Sequence, residues 1–383
     1  VSVPSQRHPF HIALLGLCLV HLAWFAWQQV EPTLGIAGLL YANGTPVGGD
    51  FVNLWSAARL VLEGRAEDIY RYKTLMAYQV GLTGAPIGVR FWAYPPHSLL
   101  LAWPFGLVGF YPALALWSLL GLAVLGYGCR RLGLGAMETA IILLSPACLL
   151  CLFYGQTGNL ATGLLLLALA PRLGREGGAA TAAALLTMKP QMGLLLPLFW
   201  LVERRWRAIL LTSAVTLVLV GLAWLVFGSI VWSDYVGVTL PGLSLLERHG
   251  TGPFMLMIPS VFMALRILTG DGDLALMLHL ALAVPVVLLA GWRLRSVQEP
   301  MRRAGVVLAG TALLTPYLHN YDLTMVAVAA LVALRRFAPG QRGELAVCVF
   351  SVLVLALPQM VVGLNLVGLP ISPFVILVLL LLI

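Results

Sequence analysis

Hydrophobic residues fill this chain in long runs, and polar residues fall in short breaks between them. Residues 209–227 show the extreme case: they are apolar nearly all round, with neither a single apolar stripe nor the alternation of a strand. A helix of that kind is surrounded by lipid or protein. Further runs lie at 10–30, 98–108, 113–128, 139–153, 160–173 and 179–200, then at 274–292, 304–316, 322–334, 345–362 and 371–383. A bilayer-spanning helix takes about 20 apolar residues, so the pattern predicts an all-α polytopic membrane bundle of about 11–13 transmembrane helices. A transmembrane β-barrel is disfavoured, because its strands alternate apolar and polar positions.

Two stretches interrupt the bundle. Residues 31–96 form the longest polar segment, with turn formers at Asn43-Gly44 and Gly48-Gly49. Within it Phe51, Leu54, Trp55, Ala58, Val61 and Leu62 fall near helical spacing, and Glu63-Gly64 makes a stop. A second short helix is expected over 66–80. Neither is long or apolar enough to cross, so both are read as amphipathic helices on the membrane surface, in a first external loop. Residues 228–270 form a second external loop with a short apolar piece at 253–268. No soluble domain or repeat is visible, and the whole of 1–383 reads as one domain.

Composition sharpens this picture. Of 383 residues, 60% are hydrophobic and 10% charged, with a mean hydropathy of +0.95. Soluble domains carry about 25% charged residues, so a water-soluble globule is excluded. The net charge of +8 would suggest nucleic acid in a soluble protein, but here the arginines sit in clusters between apolar runs. Arg130/Arg131, Arg172/Arg175, Arg204/Arg205/Arg207, Arg293/Arg295, Arg302/Arg303 and Arg335/Arg336/Arg342 follow the positive-inside pattern of cytoplasmic loops. No nucleic-acid partner is expected. Arg7 and His8 before the first run place that end inside, and no small-residue cleavage site follows the run.

Counting six full crossings between 98 and 227 puts Arg130/Arg131 and Arg172/Arg175 outside, against the positive-inside rule. Re-entrant or half-spanning elements remove the conflict. The short run at 98–108 and the break at Lys189-Pro190 are the candidates, since irregular backbone at depth has to line a cavity. The five cysteines lie in apolar segments, and Cys148-x-x-Cys151 lacks the second ligand pair of a zinc site, so all read as packing residues.

Four features place polar groups where a membrane bundle avoids them. Gly48-Gly49-Asp50 opens a helix at the outer boundary, where Asp50 is either an ordinary N-cap or a functional carboxylate. Tyr94-Pro95-Pro96-His97 leads into a membrane run. Gly155-Gln156-Thr157-Gly158-Asn159 and Lys189-Pro190-Gln191 interrupt apolar segments; a charge at the bilayer centre costs roughly 2.5–3.5 kcal/mol or more, so Lys189 should face a cavity or an anion. Thr315-Pro316-Tyr317-Leu318-His319-Asn320-Tyr321-Asp322 joins two crossings. Asp322 and Glu63 are further carboxylates, but their spacing assembles no metal site.

The order of these features resembles glycosyltransferase family 87. The stretch Gly-Gly-Asp50-Phe-x6-Ala-Arg59-Leu-x2-Glu63-Gly64-x4-Ile69-Tyr70 carries most of the likeness. Tyr94-Pro95-Pro96, Gly155-Gln156-x2-Asn159, Lys189-Pro190, Glu203-Arg-Arg-Trp206-Arg and Pro316-x2-His319-x-Tyr321 follow in order. The resemblance implies a GT-C-like bundle with juxtamembrane helices in the first external loop and an active site on the external, periplasmic side of the cytoplasmic membrane. It implies an inverting transferase that moves a mannose-like or arabinofuranose-like sugar from a polyprenyl phosphate to a lipid or glycan acceptor.

In that scheme Asp50 is the general base. Lys189, His319, Arg248 and His249 are expected to bind the donor phosphate. Tyr94, Gln156, Asn159 and Tyr321 are expected to line the sugar or acceptor site. Related enzymes differ in metal dependence, which leaves a divalent metal open. Where family members often carry an Asn-x-Ser-like stretch in the second outer loop, this chain has His249-Gly-Thr251-Gly-Pro253. The competing reading from another class is a lipid-linked sugar flippase or secondary transporter. It is disfavoured because the breaks crowd into the first 230 residues with no matching set later, as inverted repeats would require.

Overall fold

A computed structural model describes residues 10–170, 176–337 and 340–383. Arg7, His8, Arg172 and Arg175, used above to orient the chain, lie outside the described residues. Among the described residues every regular element is helical. In chain order these are α1 (Phe10–Leu34), α2 (Phe51–Leu62), α3 (Tyr72–Thr83), α4 (Leu99–Ala102), α5 (Phe110–Leu132), α6 (Ala136–Leu143), α7 (Pro146–Phe153), α8 (Gly158–Leu169), α9 (Glu176–Leu186) and α10 (Leu196–Val202). They continue as α11 (Trp206–Phe227), α12 (Ser229–Asp234), α13 (Leu240–His249), α14 (Pro253–Leu256), α15 (Val261–Thr269), α16 (Gly272–Ser296), α17 (Pro300–Leu314), α18 (Thr324–Leu334), α19 (Glu344–Leu366) and α20 (Ser372–Leu382).

The chain is a polytopic membrane protein. Among the described residues five helices, α1, α5, α11, α16 and α19, are long and apolar enough to cross a bilayer, and a sixth span arises if the bent pair α6 and α7 counts as one. The bend of 46° falls where Ser145 caps α7 and Pro146 opens it. The remaining apolar runs fold as shorter helices, among them α8, α18, α20 and the piece Pro190–Val202. At 1.5 Å per residue a helix such as α8 is too short to span about 30 Å of hydrocarbon alone. Two of these short helices are deeply enclosed: every residue of α18 and all but Leu167 of α8 are buried, whereas most of α11 is exposed. Enclosure in protein, rather than lipid, is what lets half-length helices and polar breaks persist at depth.

Neither of the two segments read as half-spanning from the sequence forms one long helix. Residues 98–107 form α4 and a 3-10 turn (Trp103–Leu107) lying against α2, where Gly106 comes so close that an added Cβ would sit 2.8 Å from the Ala58 carbonyl carbon. The apolar run 179–200 is not one helix either. It breaks at Thr187-Met188-Lys189 into α9 and a 3-10 turn (Pro190–Gly193) leading to α10, and the two halves return to the same end of the bundle. Their meeting is marked by Arg205, whose Nε donates to Glu176 Oε1 at 3.2 Å.

That end gathers the arginines. Arg303 pairs with Glu203 and donates to the Leu294 carbonyl, while Arg335 pairs with Glu138 at the start of α6. Arg302 and Arg336 donate to the carbonyls of Ile383 and Leu382 at the end of α20. Basic groups on helix C-terminal carbonyls complement the dipole there. The opposite end carries α2, α3 and α12–α15, and there the polar motifs converge. The expected second surface helix is divided into a 3-10 turn (Ala66–Tyr70) and α3.

Candidate active site

The motifs meet around a cavity of about 910 Å³ at the end of the bundle that carries α2, α3 and α12–α15. Its wall includes Asp50, Tyr94, Gln156, Lys189, His319 and Tyr321, six of the residues expected from sequence.

Asp50 is placed by glycines. Gly48 and Gly49 have φ of 66° and 53°, a left-handed turn that other residues adopt at a cost. A Cβ on Gly49 would meet Tyr154 Cα at 2.9 Å, and one on Gly155 (φ 57°) would meet Phe51 Cβ at 2.4 Å. The two glycine turns therefore pack backbone to backbone, and the Asp50 amide donates to the Tyr154 carbonyl at 2.9 Å. This docking brings Asp50 against Gln156, 106 residues away in sequence.

The N-cap reading of Asp50 does not hold: its side chain makes no capping bond to α2. Instead Gln156 Nε2 donates to Oδ2 at 2.7 Å, and the Arg90 guanidinium donates to Oδ1. Gln156 is itself oriented, since Tyr94 Oη donates to its Oε1 at 3.2 Å and lies 3.0 Å from Thr157 Oγ1. Tyr94 is held by Tyr70, whose hydroxyl donates to the Tyr94 carbonyl at 2.9 Å and accepts from Trp92 Nε1 at 3.1 Å. The Ile69-Tyr70 portion of the first-loop motif thus acts on the carboxylate through three hydrogen bonds.

Lys189 faces the cavity wall and an anion at once. Its Nζ donates to Asp322 Oδ1 at 2.6 Å and lies 5.6 Å from the Tyr321 ring centre. Asp322 also accepts from the His319 amide at 3.3 Å. Thr315 Oγ1 donates to the Gln191 carbonyl, tying the two polar breaks together. Gly158 allows this approach: a Cβ there would sit 2.7 Å from the Tyr321 carbonyl oxygen.

His319 stacks on Tyr321, with ring centres 4.9 Å apart at 2°, and packs against Phe254 and Tyr317 at 4.7 and 4.6 Å. It is 2% exposed, and its Nε2 has no hydrogen-bond partner. Burial and the nearby Lys189 charge push its pKa down to about 3, so it is a neutral imidazole at physiological pH. A buried ring nitrogen in a cavity wall can hydrogen-bond to a molecule that enters the cavity.

Three expected residues lie elsewhere. Arg248 donates to Asp273 Oδ1 at 2.5 Å, and His249 lies 3.9 Å from Asp273 Oδ2; both turn to the start of α16 and neither lines the cavity. Asn159 is buried behind the wall, donating to the Cys148 carbonyl at 3.1 Å and accepting from Thr324 Oγ1 at 3.1 Å. Glu63 takes Tyr78 Oη and arginines outside the cavity.

Two charged residues of the cavity were not expected. Arg90 stands in the unstructured stretch before Tyr94, and its position as a lone cation beside Phe91 and Trp92 is the only signal the sequence offers. Glu247, on α13, lines the cavity without a hydrogen bond or ion pair of its own side chain among the described residues. Burial pushes its carboxyl pKa up to about 7 against the opposing pull of Arg248.

No three His, Cys, Asp or Glu side chains converge among the described residues. Around Asp50 the nearest groups are a guanidinium and an amide, which do not form a donor set for a divalent cation. The five cysteines are free and buried, and Cys151 Sγ accepts from the Asn159 amide at 3.2 Å.

The sequence model of glycosyltransferase family 87 matches residues 92–316. Tyr94, Gln156 and Lys189 fall inside that segment, Asp50 before it, and His319 after it. No curated protein and no solved structure matches the chain.

Proposed function

The chain belongs to glycosyltransferase family 87, which sets aside the transporter reading, and we propose that it transfers a sugar from a polyprenyl-phosphate donor to a lipid or glycan hydroxyl with inversion. The observation that carries this reading is Asp50: a carboxylate freed from helix capping, aimed into a large cavity and oriented by Gln156. Asp50 takes the proton of the acceptor hydroxyl as its oxygen attacks the anomeric carbon. The bond from that carbon to the phosphate oxygen breaks, and the electron pair leaves with the polyprenyl phosphate. General-base help of this kind contributes about 10²–10⁴ in rate.

A phosphate leaving group needs no general acid, only hydrogen-bonding and cationic company. The neutral His319 imidazole can donate to it, and Lys189 supports that corner of the cavity through Tyr321 and Asp322. Displacement by one base without a carboxylate nucleophile inverts the anomeric centre. Arginine clusters at the far end support a cavity on the external face of the cytoplasmic membrane. Long exposed apolar helices, α11 above all, support delivery of a prenyl donor from the lipid phase.

The test is transfer by purified protein from polyprenyl-phosphate mannose and polyprenyl-phosphate arabinofuranose to lipid acceptors, with the product's anomeric configuration read by NMR. Inverted product from either donor supports the proposal. Transfer only from a nucleotide sugar, or retained configuration, overturns it.

A further inference from the structure

Building on that reading, we infer that Arg90 receives the donor phosphate by exchanging partners: its guanidinium leaves Asp50 for the phosphate, so that binding of the donor unmasks the base. The cavity wall holds one arginine and one lysine, Arg90 and Lys189, and each is engaged with a carboxylate. A phosphate entering the cavity therefore meets no cation without a carboxylate partner, and a cation is released to it in full only if one of the two pairs opens.

The two pairs differ in what opening them leaves behind. Asp322 is fully buried and Lys189 is 6% exposed, so withdrawing Lys189 strands a buried charge. Asp50 and Arg90 are both partly exposed, at 23% and 19% of their side-chain surface. When Arg90 leaves, Asp50 keeps Gln156 Nε2 and gains access to water or an acceptor hydroxyl. The pair that can open is the one at the base.

Arg90 also has unused donors. Its Nε donates to the Ile87 carbonyl at 3.2 Å and Nη1 to Asp50, while Nη2 has no hydrogen-bond partner among the described residues. A guanidinium presents a planar fork that matches two phosphate oxygens, which a point-like ammonium does not. Its backbone lies in residues 84–95, where neither helix nor strand fixes it.

The exchange has a chemical consequence. The donor phosphate is a diester with one negative charge, and the leaving polyprenyl phosphate is a monoester carrying more. An arginine that binds this group is held more tightly as charge builds on it, which is when Asp50 must be free to accept a proton.

Binding of polyprenyl monophosphate to purified protein in lipid nanodiscs tests the exchange without turnover. Wild type, Arg90→Gln, Asp50→Asn and the double variant are compared, with thermal unfolding as the check on folding and Arg90→Lys as a charge-retaining control. We expect Arg90→Gln to weaken binding at least tenfold and Arg90→Lys to recover part of it. Asp50→Asn should tighten binding severalfold, because the competing carboxylate charge is gone, and this gain should vanish in the Arg90→Gln background. A general field effect of Asp50 would keep the gain there and overturn the exchange; so would a folded Arg90→Gln protein with wild-type affinity. An arginine that only positions Asp50 would slow transfer and leave this affinity unchanged. Failure of wild-type protein to bind polyprenyl phosphate at all overturns the donor class itself, whereas transfer by wild type with undiminished binding by Arg90→Gln overturns the exchange alone.

Discussion

Lys189 Nζ stands 2.6 Å from Asp322 Oδ1, across 133 residues of chain, with the carboxylate wholly buried. The pair joins the break between α9 and α10 to the turn between α17 and α18, so it holds one wall of the cavity. Removing one partner leaves an uncompensated buried charge, which costs about 3–5 kcal/mol. Lys189→Ala and Asp322→Ala should each lower the thermal unfolding midpoint, and Lys189→Met with Asp322→Leu should recover most of the loss. A Lys189→Ala protein as stable as wild type, yet weak in donor binding, would return Lys189 to the role of a simple phosphate ligand.

The glycine turns carry a prediction of their own. Gly155→Ala places a Cβ within 2.4 Å of Phe51 Cβ at a φ of 57°. The left-handed conformation alone costs an alanine roughly 1–2 kcal/mol. Because the turn docks Asp50 against Gln156, transfer rate and unfolding temperature should fall together. Gly84→Ala, with a similar φ of 74° but open space around it, should lower stability and leave the transfer rate near wild type. Equal rate losses in both variants would argue against a special role for the Gly49–Gly155 contact.

Glu247 makes the cavity's charge depend on pH. Burial holds its carboxyl at about 7, so it is mostly protonated below neutrality and anionic above. The folded state binds this proton more tightly than the unfolded chain does, so its contribution to stability declines as pH rises from the ordinary carboxyl range through about 7. A new anion beside an anionic ligand is repulsive, and the donor KM should rise as pH passes 7. In Glu247→Gln that rise should disappear. A wild-type donor KM flat between pH 6 and 8 would contradict this.

Most of the site was legible because its residues break a rule that the rest of the chain keeps. Gln156, Lys189 and His319 are polar groups within or beside apolar runs, Asp50 follows two glycines at the start of an amphipathic helix, and the cavity brings all four together. Arg248 and His249 stood in the right loop, but α13 turns them toward Asp273, and Glu247, one residue earlier, faces the cavity instead. A helix rotates about 100° per residue, so a step of one position can carry a side chain from one neighbour to another, and composition alone does not choose between them. Arg90 was hidden for another reason: an arginine in a polar loop is unremarkable until the fold sets it on Asp50. The bundle itself was legible from hydropathy. The division into full-length and half-length helices rests on which helices other protein encloses, as with α8 and α18, and a run of apolar residues does not distinguish protein from lipid as its neighbour.

His319 should be silent in the pH profile. Its neutral form prevails down to about pH 3, so the acidic limb of the transfer rate above pH 5 should be the same in wild type and in a His319→Gln variant that retains measurable turnover. Loss of an inflection near pH 6 in the variant would show that the imidazole titrates in the working range.

The central claim is that the Asp50 carboxylate is the base. Transfer from a polyprenyl-phosphate sugar by Asp50→Asn is the most direct measurement, since the substitution keeps the side chain's shape and removes its basicity. We predict a protein that unfolds at the wild-type temperature, binds polyprenyl phosphate at least as tightly, and turns over about 10²–10⁴-fold more slowly. Turnover within a fewfold of wild type would contradict the account.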